Sequence, residues 1–123
     1  MTNTALLKTT SALTALLFSI HWIQDCVLGI DKVGTQSIGG VVILFVWMVA
    51  VLLLAERRAG QVLMLILGFL AAGVTVLHFN SPRIQERALG DGGFAFLWVM
   101  AIMGTSGLLS FVYAILGLRR PRA

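Results

Sequence analysis

Two stretches of this chain, residues 38–55 and 62–77, contain no ionisable side chain, and nothing else in the sequence limits the fold as strongly. A soluble domain needs polar residues interleaved at helical or strand period to make a wet face. These stretches have too few to interleave, so water is the wrong solvent for them. Composition agrees: 59% of the 123 residues are hydrophobic and only 11% are charged, against roughly 25% in an ordinary soluble domain.

A helix crosses a hydrocarbon core about 30 Å thick with about 20 mainly apolar residues, because each residue rises about 1.5 Å. Four segments meet that length, at about residues 5–30, 38–55, 61–79 and 94–118. The apolar runs are continuous, whereas barrel strands are about 10 residues long and alternate. The expected fold is therefore an all-α membrane protein, a single domain over residues 1–123 built as an up-down bundle of four transmembrane helices. The first segment lacks the strongly basic start and the small-residue exit of a cleavable signal peptide, and is expected to stay as a span.

The net charge of +4 is distributed as a topology signal. In a four-span arrangement Lys8, Arg57, Arg58, Arg119, Arg120 and Arg122 share one side. Lys32, Arg83 and Arg87 fall on the other, diluted by Asp31, Glu86 and Asp91. This excess of cations in short loops follows the positive-inside pattern, which puts both termini in the cytoplasm of a bacterial-type inner membrane. The basic balance is thus expected to reflect the lipid bilayer, with no nucleic-acid partner.

Short connections at residues 31–37 and 56–60 make consecutive helices antiparallel neighbours. The third connection, residues 80–93, opens with Asn80-Ser81-Pro82, which stops a helix because Pro lacks a backbone donor and restricts the residue before it. Residues 83–89 are expected to form one interfacial turn. Lipid supplies no hydrophobic drive between helices, so small residues that let backbones approach mark the contact faces. These are Gly68 and Ala71, continuing through Thr75 to His78, on the third span, and Gly104, Gly107 and Ser110 on the fourth. The stripe through Gly68 is expected to face the first span. The second span, almost wholly Val, Leu, Ile, Phe and Met, reads as the most lipid-exposed, although Trp47 near its middle fits no aromatic belt.

One constellation carries chemistry. At about 100° per residue, Thr10, Thr14, His21 and Asp25 fall on one stripe of the first helix. An ionisable group near the bilayer centre costs at least about 2.5 kcal/mol on insertion scales, so His21 and Asp25 are expected to face other helices. The first and third spans run in the same direction, so His78 arrives at the same outer end. The lone Cys26 excludes an intramolecular disulfide and a CxxC pair. No Ser/His/Asp set, HExxH or phosphate loop is present, so no catalytic residues are assigned.

Three functions follow as expectations. The first is a non-catalytic module that packs on a larger membrane complex or on a second copy of itself. The second is a cofactor protein in which His21 and His78 ligate a b-type haem, or His21, Asp25 and His78 ligate a divalent metal. The third is a small proton-coupled transporter using His21 and Asp25.

Overall fold

A computed structural model describes residues 2–28, 36–90 and 92–120. The end of the first expected span, most of the first connection, Asp31, Lys32, Asp91 and Arg122 lie outside the described residues, as do the side chains of Arg83 and Arg87. The described residues are helical throughout, joined by short turns: α1 (Asn3–Val27), α2 (Gln36–Leu52), α3 (Arg58–Phe79), α4 (Pro82–Ala88) and α5 (Gly93–Leu118). Three of them, α1, α3 and α5, are long and apolar enough to cross a membrane, and α2 is a shorter apolar helix.

Local chemistry sets the helix ends. The Thr2 hydroxyl accepts from the Ala5 N–H at 3.2 Å, a side-chain cap that satisfies one of the orphan donors of the first turn. Pro82 opens α4, where its missing N–H costs nothing. Gly92 precedes α5 with φ +82, a left-handed conformation that glycine adopts without steric cost. The helix α2 ends at Leu52, three residues before the end expected from hydropathy. The chain must reverse before Arg58 opens α3, and the Arg57 N–H to Leu54 carbonyl bond closes that reversal. The 17 residues of α2 rise about 25 Å, at the lower limit for a span.

The helix α5 is the centre of the structure and packs on both α3 and α1. Toward α3 the approach is backbone to backbone. A Cβ built on Gly68 would lie 2.7 Å from the Gly107 carbonyl oxygen, and one on Gly107 would lie 2.9 Å from that of Gly68. Gly104 sits under Thr75, Ser110 faces Gly68, and Ala71 faces Gly107. The Thr75 hydroxyl donates to the Met100 carbonyl at 3.1 Å. The stripe Gly68-Ala71-Thr75 therefore packs on α5 and not, as its position alone implies, on α1. The reason is complementarity: α5 carries the matching small residues, whereas α1 meets α3 through His21 and Asp25.

Toward α1 the contact is partly polar. Thr14 donates to the Ser106 hydroxyl at 2.9 Å and Asn3 to the Tyr113 carbonyl at 3.0 Å. Such interhelical bonds average about 0.6 kcal/mol in a membrane, so close packing sets the geometry and the bonds select the register. Leu7, Met64, Met100 and Met103 fill the core around them. The outward side of α2 is exposed, as Val41, Val42 and Phe45 show, but Trp47, Ala50 and Val51 are buried. Trp47 faces inward and stacks near Phe18 at 6.0 Å between ring centroids.

Candidate metal centre

The helices α1 and α3 meet near their C-terminal ends. His21 and Asp25 lie one turn apart on α1, with side chains on the same face, and His78 stands in the last turn of α3. Each of the three residues offers a ligand atom within 4.8 Å of the other two. The Asp25 Oδ2 lies 3.3 Å from the His21 Nε2 and 3.7 Å from the His78 Nε2. His21 is 2% exposed and Asp25 8%; His78 is partly covered. Thr10, on the same stripe, takes no part and donates to the Leu6 carbonyl at 2.9 Å. Thr14 is spent on Ser106. Cys26 is not among the clustered ligands.

The His78 Nδ1 lies 2.9 Å from the Val74 carbonyl oxygen. A carbonyl can only accept, so Nδ1 carries the proton. Neutral His78 then turns the lone pair of Nε2 toward a carboxylate oxygen that also only accepts. Two acceptors face each other across 3.7 Å, and a cation between them, a proton or a metal ion, turns that opposition into attraction. Pinning one ring nitrogen on a backbone carbonyl while the other points at the ion is the usual support of a metal-bound histidine.

The rest of the electrostatics favours a cation as well. The C-terminal ends of α1 and α3 converge here, and the unpaired carbonyls of a helix end carry partial negative charge. The Asp25 Oδ1 is buried with no hydrogen-bond partner among the described residues, and so is the His21 Nδ1, which cannot bind the same ion as Nε2. In a tetrahedral site with bonds of about 2.0–2.1 Å, ligand atoms stand about 3.3–3.4 Å apart. Two of the three edges, 3.3 and 3.7 Å, are close to that and longer than the 2.7–2.9 Å typical of a charge-assisted hydrogen bond; the third, between His21 and His78, lies within 4.8 Å and would have to close on binding.

Haem does not fit. The His21 and His78 rings meet edge to face with centroids 4.8 Å apart, which leaves no gap for a macrocycle between two axial imidazoles. Of the small residues expected to leave room for a porphyrin, Gly68, Ala71 and Gly73, the first two are filled by α5 and Gly73 faces open space. Asp25 faces both Nε2 atoms, the position of a third ligand and not of an outer acceptor behind one ring.

Two contributors escape sequence reasoning. Phe96 of α5 covers the cluster, with its ring 5.5 Å from that of His21 and 6.4 Å from that of His78. A phenylalanine among apolar residues gives no signal of such a role. The Val74 carbonyl is a backbone group, and only its offset of one turn before His78 could have pointed to it.

Compared with protein-family models, with curated proteins and with solved structures, the chain matches none.

Proposed function

We propose that this chain is a small four-span membrane protein that holds a divalent first-row metal ion between His21, Asp25 and His78. In this reading its termini are cytoplasmic and the site lies in the outer half of the bundle. The observation that carries the proposal is the opposition of the His78 Nε2 and the Asp25 Oδ2, set up by the Nδ1 bond to the Val74 carbonyl. Two imidazoles and one carboxylate suit zinc or iron(II), whose preferred donors are nitrogen and oxygen. The bound ion would give the buried His21 and Asp25 and the partly covered His78 one shared partner, the situation in which intramembrane ionisable groups are tolerated.

Metal analysis of the protein purified in mild detergent and supplied with zinc tests this. One ion per chain is expected in the wild type and none in His78→Ala of equal helicity and monodispersity. Zinc retained by His78→Ala, or none taken up by the folded wild type, would overturn the site. A proton in place of the ion is the transport alternative, for which flux into liposomes that depends on His21 and Asp25 is the measure.

A packing role on a partner subunit or a second copy has one observation in its favour. Phe69, Ala72, Gly73, Val76, Leu77, Leu108 and Phe111 line an outward apolar groove of about 560 Å³ between α3 and α5. Gly73 has nothing within 4 Å of a built Cβ, so this small residue is not used inside the chain. Loss of a co-purifying complex on Gly73→Leu, with the isolated chain still folded, is the outcome that reading requires.

A further inference from the structure

We infer that the metal ion keeps one exchangeable coordination position, open to a cleft between α1, α2 and α3, and that this position takes a small inorganic donor such as water, hydroxide or azide. The inference rests on the metal reading above and adds the class of ligand that reaches the ion.

Three side chains supply donors, and no fourth His, Cys, Asp or Glu joins them among the described residues. Three protein ligands plus one exchangeable position is the arrangement of catalytic zinc sites, while purely structural sites are closed by a fourth protein ligand. The α5 side is closed by Phe96, which brings an aromatic ring and no donor. The open side is a cleft of about 220 Å³ lined by Phe18, His21, Trp22, Asp25, Gly40, Val74 and His78. Apart from the three ligands, the side chains lining it are apolar or, in Trp22, donor only. Among the described residues the walls offer no fourth protein ligand, and the missing one would enter through the cleft.

The size of the cleft selects the ligand. A cleft of about 220 Å³ admits water and small ions and is too small for a macrocycle. Its width depends on Gly40. A Cβ there would lie 2.7–2.9 Å from the six-membered ring of Trp22, so the indole rests against the α2 backbone and any side chain at position 40 takes space from the cleft. Asp25 adds a polar contact for the incoming ligand. With Oδ2 directed at the ion, Oδ1 would be left as a hydrogen-bond acceptor beside it.

Cobalt(II) and azide make the test. The wild type loaded with cobalt is expected to show the visible bands of a low-symmetry N/O site, and azide to shift them with saturation. Gly40→Leu should take up the same amount of cobalt and bind azide about tenfold more weakly or worse, the effect of overfilling a packed space. Val74→Phe fills the cleft from the opposite wall and replaces Gly40→Leu if that variant does not fold. Absence of cobalt uptake by the folded wild type would remove the metal reading itself. Cobalt uptake that needs all three ligands, with bands indifferent to azide, would overturn the open position while leaving the metal site standing. Azide binding of equal strength in a folded, cleft-filled variant would also overturn it, because the ligand would then be entering elsewhere.

Discussion

Trp47 donates its indole N–H to the Ser11 hydroxyl at 2.8 Å, and this bond anchors α2, the shortest of the four apolar helices, to α1. The ring is 1% exposed and Ser11 is fully buried. In a helix whose other large side chains mostly look outward, one tryptophan supplies much of the contact area and a directional bond to α1.

Trp47→Ala should therefore cost about 3–5 kcal/mol, the range for deleting a buried aromatic side chain. Trp47→Phe keeps most of the area, loses the bond and should cost about 1 kcal/mol. Phe45→Ala, on the exposed side of the same helix, should stay within about 0.5 kcal/mol. Unfolding monitored in detergent ranks the three, and similar losses for Phe45→Ala and Trp47→Ala would mean that α2 is not held this way.

Glycine substitutions on α3 and α5 should separate by position. Gly68→Ala and Gly107→Ala place a Cβ at 2.7 and 2.9 Å from a facing backbone oxygen, which forces the helices apart and should cost about 1–3 kcal/mol. Gly73→Ala meets nothing within 4 Å and improves helix propensity, so it should be neutral or stabilising by up to about 1 kcal/mol. Thermal inactivation of the three variants checks the order. Equal behaviour of Gly68→Ala and Gly73→Ala would show the wrong face at the α3–α5 contact.

His21 and Asp25 should behave as one unit. Removing either strands the other in a site where both are more than nine-tenths buried. The single substitutions His21→Ala and Asp25→Ala should each carry more than half of the loss seen in the double variant. The coupling should lie within about 0.5–3 kcal/mol, typical of contacting residues. Additive losses in a double-mutant cycle would make them independent neighbours.

The proposed orientation is open to thiol labelling. With Cys26 replaced by Ala, a cysteine at Glu86, which is exposed on α4, should react with a membrane-impermeant reagent from outside intact cells. One at Arg58, exposed at the start of α3, should react only after permeabilisation. The reverse pattern would move the metal centre to the cytoplasmic half.

Much of this architecture could be read directly. Absence of charge over residues 38–55 and 62–77 requires helices that satisfy their own backbone groups, and Asn80-Ser81-Pro82 with the glycines near residue 92 shows where α3 stops and α5 starts. His21 and Asp25 are one turn apart on any helix, so their pairing is local. The convergence of His78 also follows from sequence, since α1 and α3 must run in the same direction.

The partners of each face were not readable in the same way. A small-residue stripe states that something approaches closely but not which helix, because every span offers an apolar surface and lipid favours none of them. Only packing decided that Gly68 and Ala71 meet Gly107 and Ser110 on α5, that Trp47 turns inward to Ser11, and that His21 and His78 touch edge to face with no space for haem. The amino-acid sequence by itself determined helices for an apolar solvent and the polar end that α1 and α3 share, because those follow from periodicity and the backbone's need for hydrogen bonds. The tertiary structure alone decided which lone pair faces which carboxylate, because the Nδ1 bond of His78 to the Val74 carbonyl is local to α3 but the approach of Asp25 exists only once α1 and α3 are held together by α5.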